Sequence, residues 1–250
     1  MYVLLGLKPV GKSFVTSTIL EGTVPIYTAS ILLFRELRYR CLFSHERRKM
    51  TPKKILIAVP TFETISPETF KSIYGIQSEH ILAFDYCKGY DCAMARNRIA
   101  SEALDGGFNY VLMIDSDIIV PSNLLDYLLE IPEAVCVGVY PRKNTTEQQT
   151  ELFDFTEKDF TQRFTYPQLD EFQKKAPRIH IKGSGLGCAL IDVNVFRQLP
   201  FPWFKYVTYN NGDVLSEDLY FSHELLQHNI PMSADLRVRC GHLTRRFQYV

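Results

Sequence analysis

Short apolar runs alternate with amphipathic segments from residue 54 onward, and this alternation predicts the fold. Three segments that begin with residues typical of helix starts separate the first four runs. They begin at Ser66, Asp91 and Pro121, and the second ends at Gly106-Gly107. Strands that alternate with helices at this spacing indicate an α/β, Rossmann-like fold with a mostly parallel, doubly wound central sheet flanked by helices. The predicted strands lie at 55–59, 80–85, 110–115, 134–140, 188–192 and 232–240, with a further strand at RIHI before the glycine-rich bend.

The later part of the chain departs from the regular alternation. Residues 144–178 are polar and weakly periodic, which predicts a smaller excursion made of a hairpin and a mobile loop that serves as a lid or acceptor loop. The following bend KGSGLG lets the backbone approach a ligand closely at Gly185, although a simple bulged strand also fits. A helix is predicted from Ser216 to about His228.

The run NYVLMIDSDI carries a buried strand directly into two carboxylates, Asp115 and Asp117. Desolvating a carboxylate costs several kcal/mol unless a cation meets it. A solvated turn and a bound divalent cation both solve this problem. Ligands of doubly wound sheets bind beyond the carboxyl ends of the strands, and Pro60, Thr61 and Asp85 are predicted at the same edge.

Composition narrows the classes of function. The 250 residues are 46% hydrophobic and carry no net charge, so the basic excess typical of nucleic-acid binding is missing. Six cysteines without a CxxC pair predict free thiols in the cytoplasm. Residues 14–34 are too interrupted, by Glu21, Gly22 and Pro25, for a transmembrane helix, and a peripheral membrane anchor stays open.

A change of composition near residue 50 predicts a domain from 50 to 250 preceded by a leader, residues 1–49. The leader is an anchor, a regulatory segment or upstream translated sequence. Its residues 6–13, GLKPVGKS, match the phosphate-loop pattern. The alternative function is therefore a nucleotide triphosphatase with Asp115 on its magnesium. A phosphate loop must be followed directly by a helix, and Glu21, Gly22 and Pro25 interrupt the segment after residue 13. These residues count against the triphosphatase alternative.

Seven motifs, in order, resemble the GT-A glycosyltransferases of the family-2-like group. The resemblance covers about residues 54–247 and implies transfer of a sugar, with inversion, from a UDP- or GDP-sugar to a glycan, lipid-linked or protein acceptor. A non-catalytic nucleotide-sugar or carbohydrate-binding module remains an alternative, because fold does not fix function. The motifs are AVPTF, MARNRIA, YVLMIDSD, GVYPRK, GSGLGCALI, LSEDLYF and RCGHL.

The resemblance also implies roles for individual residues. Asp117 would ligate Mn²⁺ or Mg²⁺ with Asp115, and His242 would be a late ligand that favours manganese. Asp218 would be the catalytic base that deprotonates the acceptor hydroxyl. The residues implied in binding the nucleotide sugar are Pro60, Thr61, Glu63, Asp85, Arg96, Asp115, Ser116, Gly185 and Glu217.

Overall fold

The predicted apolar runs form the strands of a central sheet. The computed structural model describes residues 3–4, 51–130, 133–143, 148–156 and 159–243, so the leader beyond Val3–Leu4 and the phosphate-loop sequence 6–13 lie outside the described residues. Within these ranges the sheet has eight strands in the order β1-β3-β2-β4-β11-β6-β14-β9. They are β1 Val3–Leu4, β2 Lys54–Thr61, β3 Ile81–Lys88, β4 Tyr110–Ile114, β6 Val135–Val139, β9 Arg178–Ile181, β11 Cys188–Asp192 and β14 Met232–Arg239.

Five of these strands run in the same direction, and this confirms the mostly parallel sheet. β3, β2 and β4 are parallel neighbours, and β6 and β14 form a second parallel pair. The strand predicted at 188–192 differs from a purely parallel arrangement, because β11 lies between β4 and β6 and runs antiparallel to both. It therefore starts, rather than ends, at the edge where the parallel strands end.

Three small sheets accompany the central sheet in the described ranges. The segment 144–178 contributes a hairpin, as predicted, and its first strand also pairs with the glycine-rich bend. A short pair near the chain end joins the segment after Asp117 to the segment that holds His242. The additional strands are β5 Ile118–Ile119, β7 Gln149–Thr156, β8 Asp159–Thr165, β10 Gly183–Ser184, β12 Val207–Thr208, β13 Val214–Leu215 and β15 Gly241–His242.

Capping residues place the helices as the sequence predicts. The side chain of Ser66 accepts a hydrogen bond from Thr69 N (3.0 Å), and that of Asp91 accepts one from Met94 N (2.9 Å). None of the helices in the described ranges is long and apolar enough to cross a membrane. The helices are α1 Pro67–Tyr74, α2 Cys92–Asp105, α3 Leu124–Leu128, α4 Tyr166–Gln173, α5 Val195–Gln198 and α6 Glu217–Gln227.

Two predictions of local structure need correction, one of a helix and one of a loop. The helix expected from Pro121 is only the short α3, which begins after Asn123. The expected mobile loop within 144–178 is wrong for α4, where the backbone N–H of Thr165 donates to Gln168 Oε1 (2.8 Å) and Leu169 is fully buried. A cap and one deeply buried side chain hold this segment in a helix that its weak apolar pattern does not reveal.

Apolar side chains cover both faces of the sheet, as a doubly wound fold requires. Strand β2 alternates, with Ile57 packed on one face and Ala58 on the other. The first face packs against α1 and α3, while the second packs against α2, α5 and α6. Both faces of the central strands β2, β4, β6 and β11 are therefore closed to water, and the carboxyl edge of the sheet is left for polar groups.

Candidate active site at the carboxyl edge of the sheet

The chain topology brings polar side chains from four elements to one edge. Asp115 follows β4, Tyr140 follows β6, and His242 lies just after β14. α6 begins at the same edge because it leads back into β14, which runs parallel to β6. Residues far apart in the sequence are therefore neighbours at the edge where ligands of such sheets bind.

Arg96 joins two carboxylates inside this edge. Its Nη2 donates to Asp115 Oδ1 and its Nη1 donates to Glu217 Oε1, both at 2.7 Å. Arg96 is only 2% exposed, and its Nε has no hydrogen-bond partner among the described residues. Burial raises the pKa of Glu217, Arg96 opposes this rise, and Asp218 adds to it. Arg96 thus connects α2 to the end of β4 and to the start of α6.

Asp117 lies between two basic side chains. Lys143 Nζ forms an ion pair with Asp117 Oδ2, and His242 Nε2 lies 3.5 Å from Asp117 Oδ1. Burial alone would raise the pKa of Asp117, but hydrogen bonds with His242 and Lys143 lower it below the ordinary value. Sequence reasoning missed Lys143, although it lies in the quoted motif GVYPRK.

The other ring nitrogen of His242 fixes its tautomer. Nδ1 lies 2.7 Å from the carbonyl oxygen of Pro141, which can only accept a hydrogen bond, so Nδ1 carries the hydrogen. Nε2 then faces Asp117 and carries either a hydrogen or a lone pair. A ring whose second nitrogen donates to a backbone carbonyl is the usual arrangement of a metal-binding histidine.

Asp117 and His242 fit a divalent cation as two of its ligands. Their facing atoms are 3.5 Å apart, which two bonds of about 2.1 Å can span. No group of three or more His, Cys, Asp or Glu side chains able to hold a metal occurs in the described ranges. Asp115 does not join Asp117 and His242 in such a group, and its Oδ1 accepts from Arg96. A divalent ion at this pair would therefore need further ligands from outside these side chains.

Tyr140 lies between the two halves of the site and was not predicted. It is 4% exposed, its hydroxyl accepts from Gly187 N (3.0 Å), and its ring meets the His242 ring edge-on at 5.4 Å. Burial and the carboxylates of Asp115 and Asp218 raise the pKa of Tyr140 well above its ordinary value. The tyrosine of GVYPRK was the available signal, because it directly follows a predicted strand.

Asp218 occupies the first turn of α6. Its Oδ1 accepts from Ser216 Oγ and, at 2.8 Å, from Leu219 N. In the described part of the chain both hydrogen bonds to this carboxylate fall on Oδ1. Oδ2 therefore has no hydrogen-bond partner among the described residues. Tyr140 thus contacts His242, and the negative charge of Asp218 contributes to the raised pKa of Tyr140.

The remaining predicted residues are placed differently from one another. Pro60 and Thr61 are buried at the end of β2, where Thr61 Oγ1 donates to Thr64 O (2.8 Å). Glu63 is exposed in the loop that follows, and the carbonyl of Ser116 accepts from the backbone N–H of the α1 cap (2.9 Å). These residues thus lie at the edge, but they form no hydrogen bonds with the side chains of Arg96, Asp115 or Glu217 among the described residues.

Asp85 is not at a strand end, which corrects its predicted position. β3 continues to Lys88. Asp85 lies opposite Ala58 on β2, and Ala58 lies opposite Met113 on β4, so Asp85 is level with interior residues of both strands. Its Oδ1 accepts from Tyr86 N (2.7 Å). Asp85 lines a separate open cleft of about 690 Å³ beside α2, which contains none of the residues around Tyr140. The β-rich run continues three residues past the aspartate, which sequence periodicity did not show.

Gly185 is required by close packing against Tyr140. A Cβ at Gly185 would lie 2.2 Å from the Tyr140 hydroxyl oxygen, a distance that atoms do not tolerate.

We expect Gly185→Ala to lower the free energy of unfolding by about 1–3 kcal/mol, because the buried ring must shift. Urea denaturation measures this. Gly75→Ala is the matched control, since its Cβ would meet only ordinary contacts of 3.4 Å or more. Equal stability of the two variants would contradict the packing.

Comparison with known proteins supports the fold and not a family. A scan against protein-family models finds no match for this chain, and a search of curated proteins finds none either. The crystal structure of A197 from STIV is similar, with a TM-score of 0.54 and 14% identity over 76% of this chain and 86% of that chain. The crystal structure of GalNAc-T7 with UDP, GalNAc and Mn²⁺ has a TM-score of 0.52 and 12% identity.

These likenesses confirm the predicted architecture. GalNAc-T7 is a GT-A glycosyltransferase, and the matched region covers 77% of this chain but 44% of that protein. The chain therefore has a GT-A-like α/β fold and spans less than half of the length of that neighbour. At these identities the similarity concerns the fold alone.

The direction of β1 counts against the phosphate-loop alternative. β1 pairs with β3 antiparallel, through Val3 with Phe84, whereas β4 runs parallel to β3 by way of β2. The carboxyl end of β1 thus points away from the edge that holds Asp115. A phosphate loop needs its strand to end at the same edge as the strand that carries the magnesium-binding aspartate.

Proposed function

We propose that this chain is a metal-dependent glycosyltransferase that moves a sugar, with inversion, from a UDP- or GDP-sugar to the hydroxyl of a glycan, lipid-linked or protein acceptor. The observation that carries the proposal is the arrangement around Tyr140. A carboxylate–imidazole pair, Asp117 with His242, and a separate carboxylate, Asp218, share the carboxyl edge of a GT-A-like sheet.

The charge of the site supports a cation in the reaction. Four carboxylates, those of Asp115, Asp117, Glu217 and Asp218, lie with two permanent cations, so the formal charge is negative whether or not His242 is protonated. The cations are Arg96 and Lys143. An anionic diphosphate would be repelled by such a site without added positive charge. Mn²⁺ or Mg²⁺ at Asp117 and His242 would neutralise the departing nucleoside diphosphate.

The residues around the edge then have distinct roles in the proposal. Asp218 accepts the proton of the acceptor hydroxyl as that oxygen attacks the anomeric carbon from the face opposite the leaving diphosphate, which gives inversion. Arg96 and Glu217 hold the start of α6, and hence Asp218, against the end of β4. The donor is bound by Asp115, Ser116 and the backbone at Gly185, and its nucleoside by Pro60, Thr61 and Glu63.

A binding module without catalysis is the second candidate. It rests on the same fold and on the same metal-binding pair, and it differs from the enzyme only in the role of Asp218. The neighbour GalNAc-T7 was crystallised with UDP, GalNAc and Mn²⁺, which supports a nucleotide sugar as the ligand class in both cases. Binding of a donor without transfer to any acceptor would favour the module.

The proposal is tested by nucleotide release from UDP-, GDP- and CMP-sugars in the presence of Mn²⁺. We expect one nucleotide class to be cleaved, and we expect Asp117→Asn to reduce the rate by at least about 100-fold, because the metal loses its carboxylate. Asp126→Asn is the control, since Asp126 is an exposed carboxylate on α3. Absence of cleavage and of binding for every donor, or an undiminished rate in Asp117→Asn, would rule the proposal out.

A further inference from the structure

Lys143 neutralises the carboxylate that is proposed to bind the metal. Its Nζ pairs with Asp117 Oδ2, while Asp117 Oδ1 faces His242. Both oxygens of Asp117 are therefore engaged by side chains of the chain itself. The side chains of Asp117 and Lys143 are 33% and 36% exposed, so a solute can reach the pair from solvent.

We propose that Lys143 is a displaceable cation, which competes with the divalent metal for Asp117 and then binds the diphosphate of the donor. This inference rests on the proposed function, because it requires a metal and a diphosphate at this edge. A divalent ion that contacts Asp117 Oδ2 takes the position where the ammonium now hydrogen-bonds. Lysine carries its charge on a flexible four-carbon chain, so Lys143 can leave the carboxylate while its backbone stays in place.

The displaced ammonium needs another anion, and Asp115, Glu217 and Glu151 already pair with arginines. Arg96 holds Asp115 and Glu217. Glu151 pairs with two arginines, at 3.9 Å and 3.3 Å. The phosphate oxygens of the incoming nucleotide are anions that the ligand itself brings to the metal. Lysine binds phosphate well as a compact point charge.

This exchange couples metal binding to nucleotide binding. A metal ion alone must break the pair between Lys143 and Asp117 and leaves the ammonium beside a second cation. A metal ion with a diphosphate breaks the same pair but gives Lys143 a new partner. By linkage, the diphosphate then raises the affinity for the metal, and the metal raises the affinity for the diphosphate. The empty site would thus discriminate against free metal ions.

Titration of the full chain with Mn²⁺ alone tests the first half of the exchange. Binding is measured as the loss of the electron paramagnetic resonance signal of free Mn²⁺. We expect Lys143→Met to bind Mn²⁺ about tenfold more tightly than the wild type, because one competing positive charge is gone. Arg142→Met is the matched control, since the neighbouring guanidinium pairs with Glu151 instead and its loss should leave Mn²⁺ affinity unchanged.

Titration with UDP or GDP at saturating Mn²⁺ tests the second half. Lys143→Met should bind the preferred nucleotide about tenfold more weakly than the wild type, and Lys143→Arg should recover most of this loss because it keeps a phosphate-binding cation. Equal thermal melting of the variants checks folding, and Lys143→Gln replaces the methionine variant if that one is unstable.

Each outcome decides for or against Lys143 separately from the sugar-transfer proposal. Mn²⁺ affinity that is unchanged or weaker in Lys143→Met, or undetectable in every protein, overturns the competition. Nucleotide affinity that is unchanged in Lys143→Met overturns the phosphate role. A chain that cleaves nucleotide sugars but shows unchanged Mn²⁺ affinity in Lys143→Met loses only the lysine proposal. A chain that cleaves no donor but shows the tighter Mn²⁺ binding loses only sugar transfer.

Discussion

Replacing Asp218 with Asn is expected to reduce sugar transfer by about 10²–10⁴-fold while donor binding is kept. The amide retains the acceptor oxygen that receives hydrogen bonds from Ser216 Oγ and Leu219 N, so the start of α6 keeps its geometry. It removes the basic oxygen that takes the proton of the acceptor hydroxyl. Initial rates of transfer and a separate titration of the nucleotide sugar measure the two effects.

A second carboxylate on the same helix provides the control for this variant. Glu224 lies six residues further along α6 and away from its first turn, so Glu224→Gln should transfer sugar at nearly the wild-type rate. Transfer by Asp218→Asn at a rate close to that of Glu224→Gln would show that Asp218 is not the base. Loss of donor binding in Asp218→Asn would instead assign Asp218 to the donor site.

Replacing Arg96 with Leu is expected to lower the free energy of unfolding by about 3–5 kcal/mol near neutral pH. Removing one partner of a buried ion pair leaves the other charge without compensation, and Arg96 has two partners, Asp115 and Glu217. Denaturant unfolding measures the loss. Arg98→Leu on the exposed side of α2 is the control and should change stability little.

The stability lost in Arg96→Leu should depend on pH. The pKa of Glu217 is already raised in the folded state by burial, and without Arg96 it rises further. A carboxyl whose folded-state pKa is raised contributes stability that is lost as the pH rises through that pKa. The variant should therefore be less destabilised at pH 5 than at pH 8. The additional change Glu217→Gln should recover part of the loss at pH 8. A loss that is independent of pH and of Glu217 would contradict the buried ion-pair network.

The main elements of the fold could be predicted because burial and capping leave local marks. Strands such as β4 are continuous apolar runs, and helices such as α2 begin at a capping aspartate. Strand direction leaves no such mark, so the antiparallel insertion of β11 was not predictable from periodicity. α4 was missed because Leu169 is its only fully buried apolar residue, too little to give an amphipathic pattern.

Motifs supplied the candidate residues of the site but not their partners. Asp117, Asp218 and His242 were taken from the resemblance to GT-A glycosyltransferases, and the structure brings them to one edge. The pairing partners were not predictable, because Lys143 and Tyr140 reach the site only through the tertiary arrangement of β6 and β14. For the same reason Arg96, expected to contact the donor, is found bound to two carboxylates of the chain itself.

Calorimetric titration with UDP and GDP, in Mn²⁺ and in chelator, tests the central claim most directly. That claim is that Asp117 and His242 hold a metal–diphosphate complex opposite Asp218. We expect one nucleotide to bind the wild type and Asp218→Asn in Mn²⁺, and to bind neither in chelator. We expect Asp117→Asn not to bind it in either condition. Nucleotide binding that is the same in chelator, or the same in Asp117→Asn, would contradict the claim.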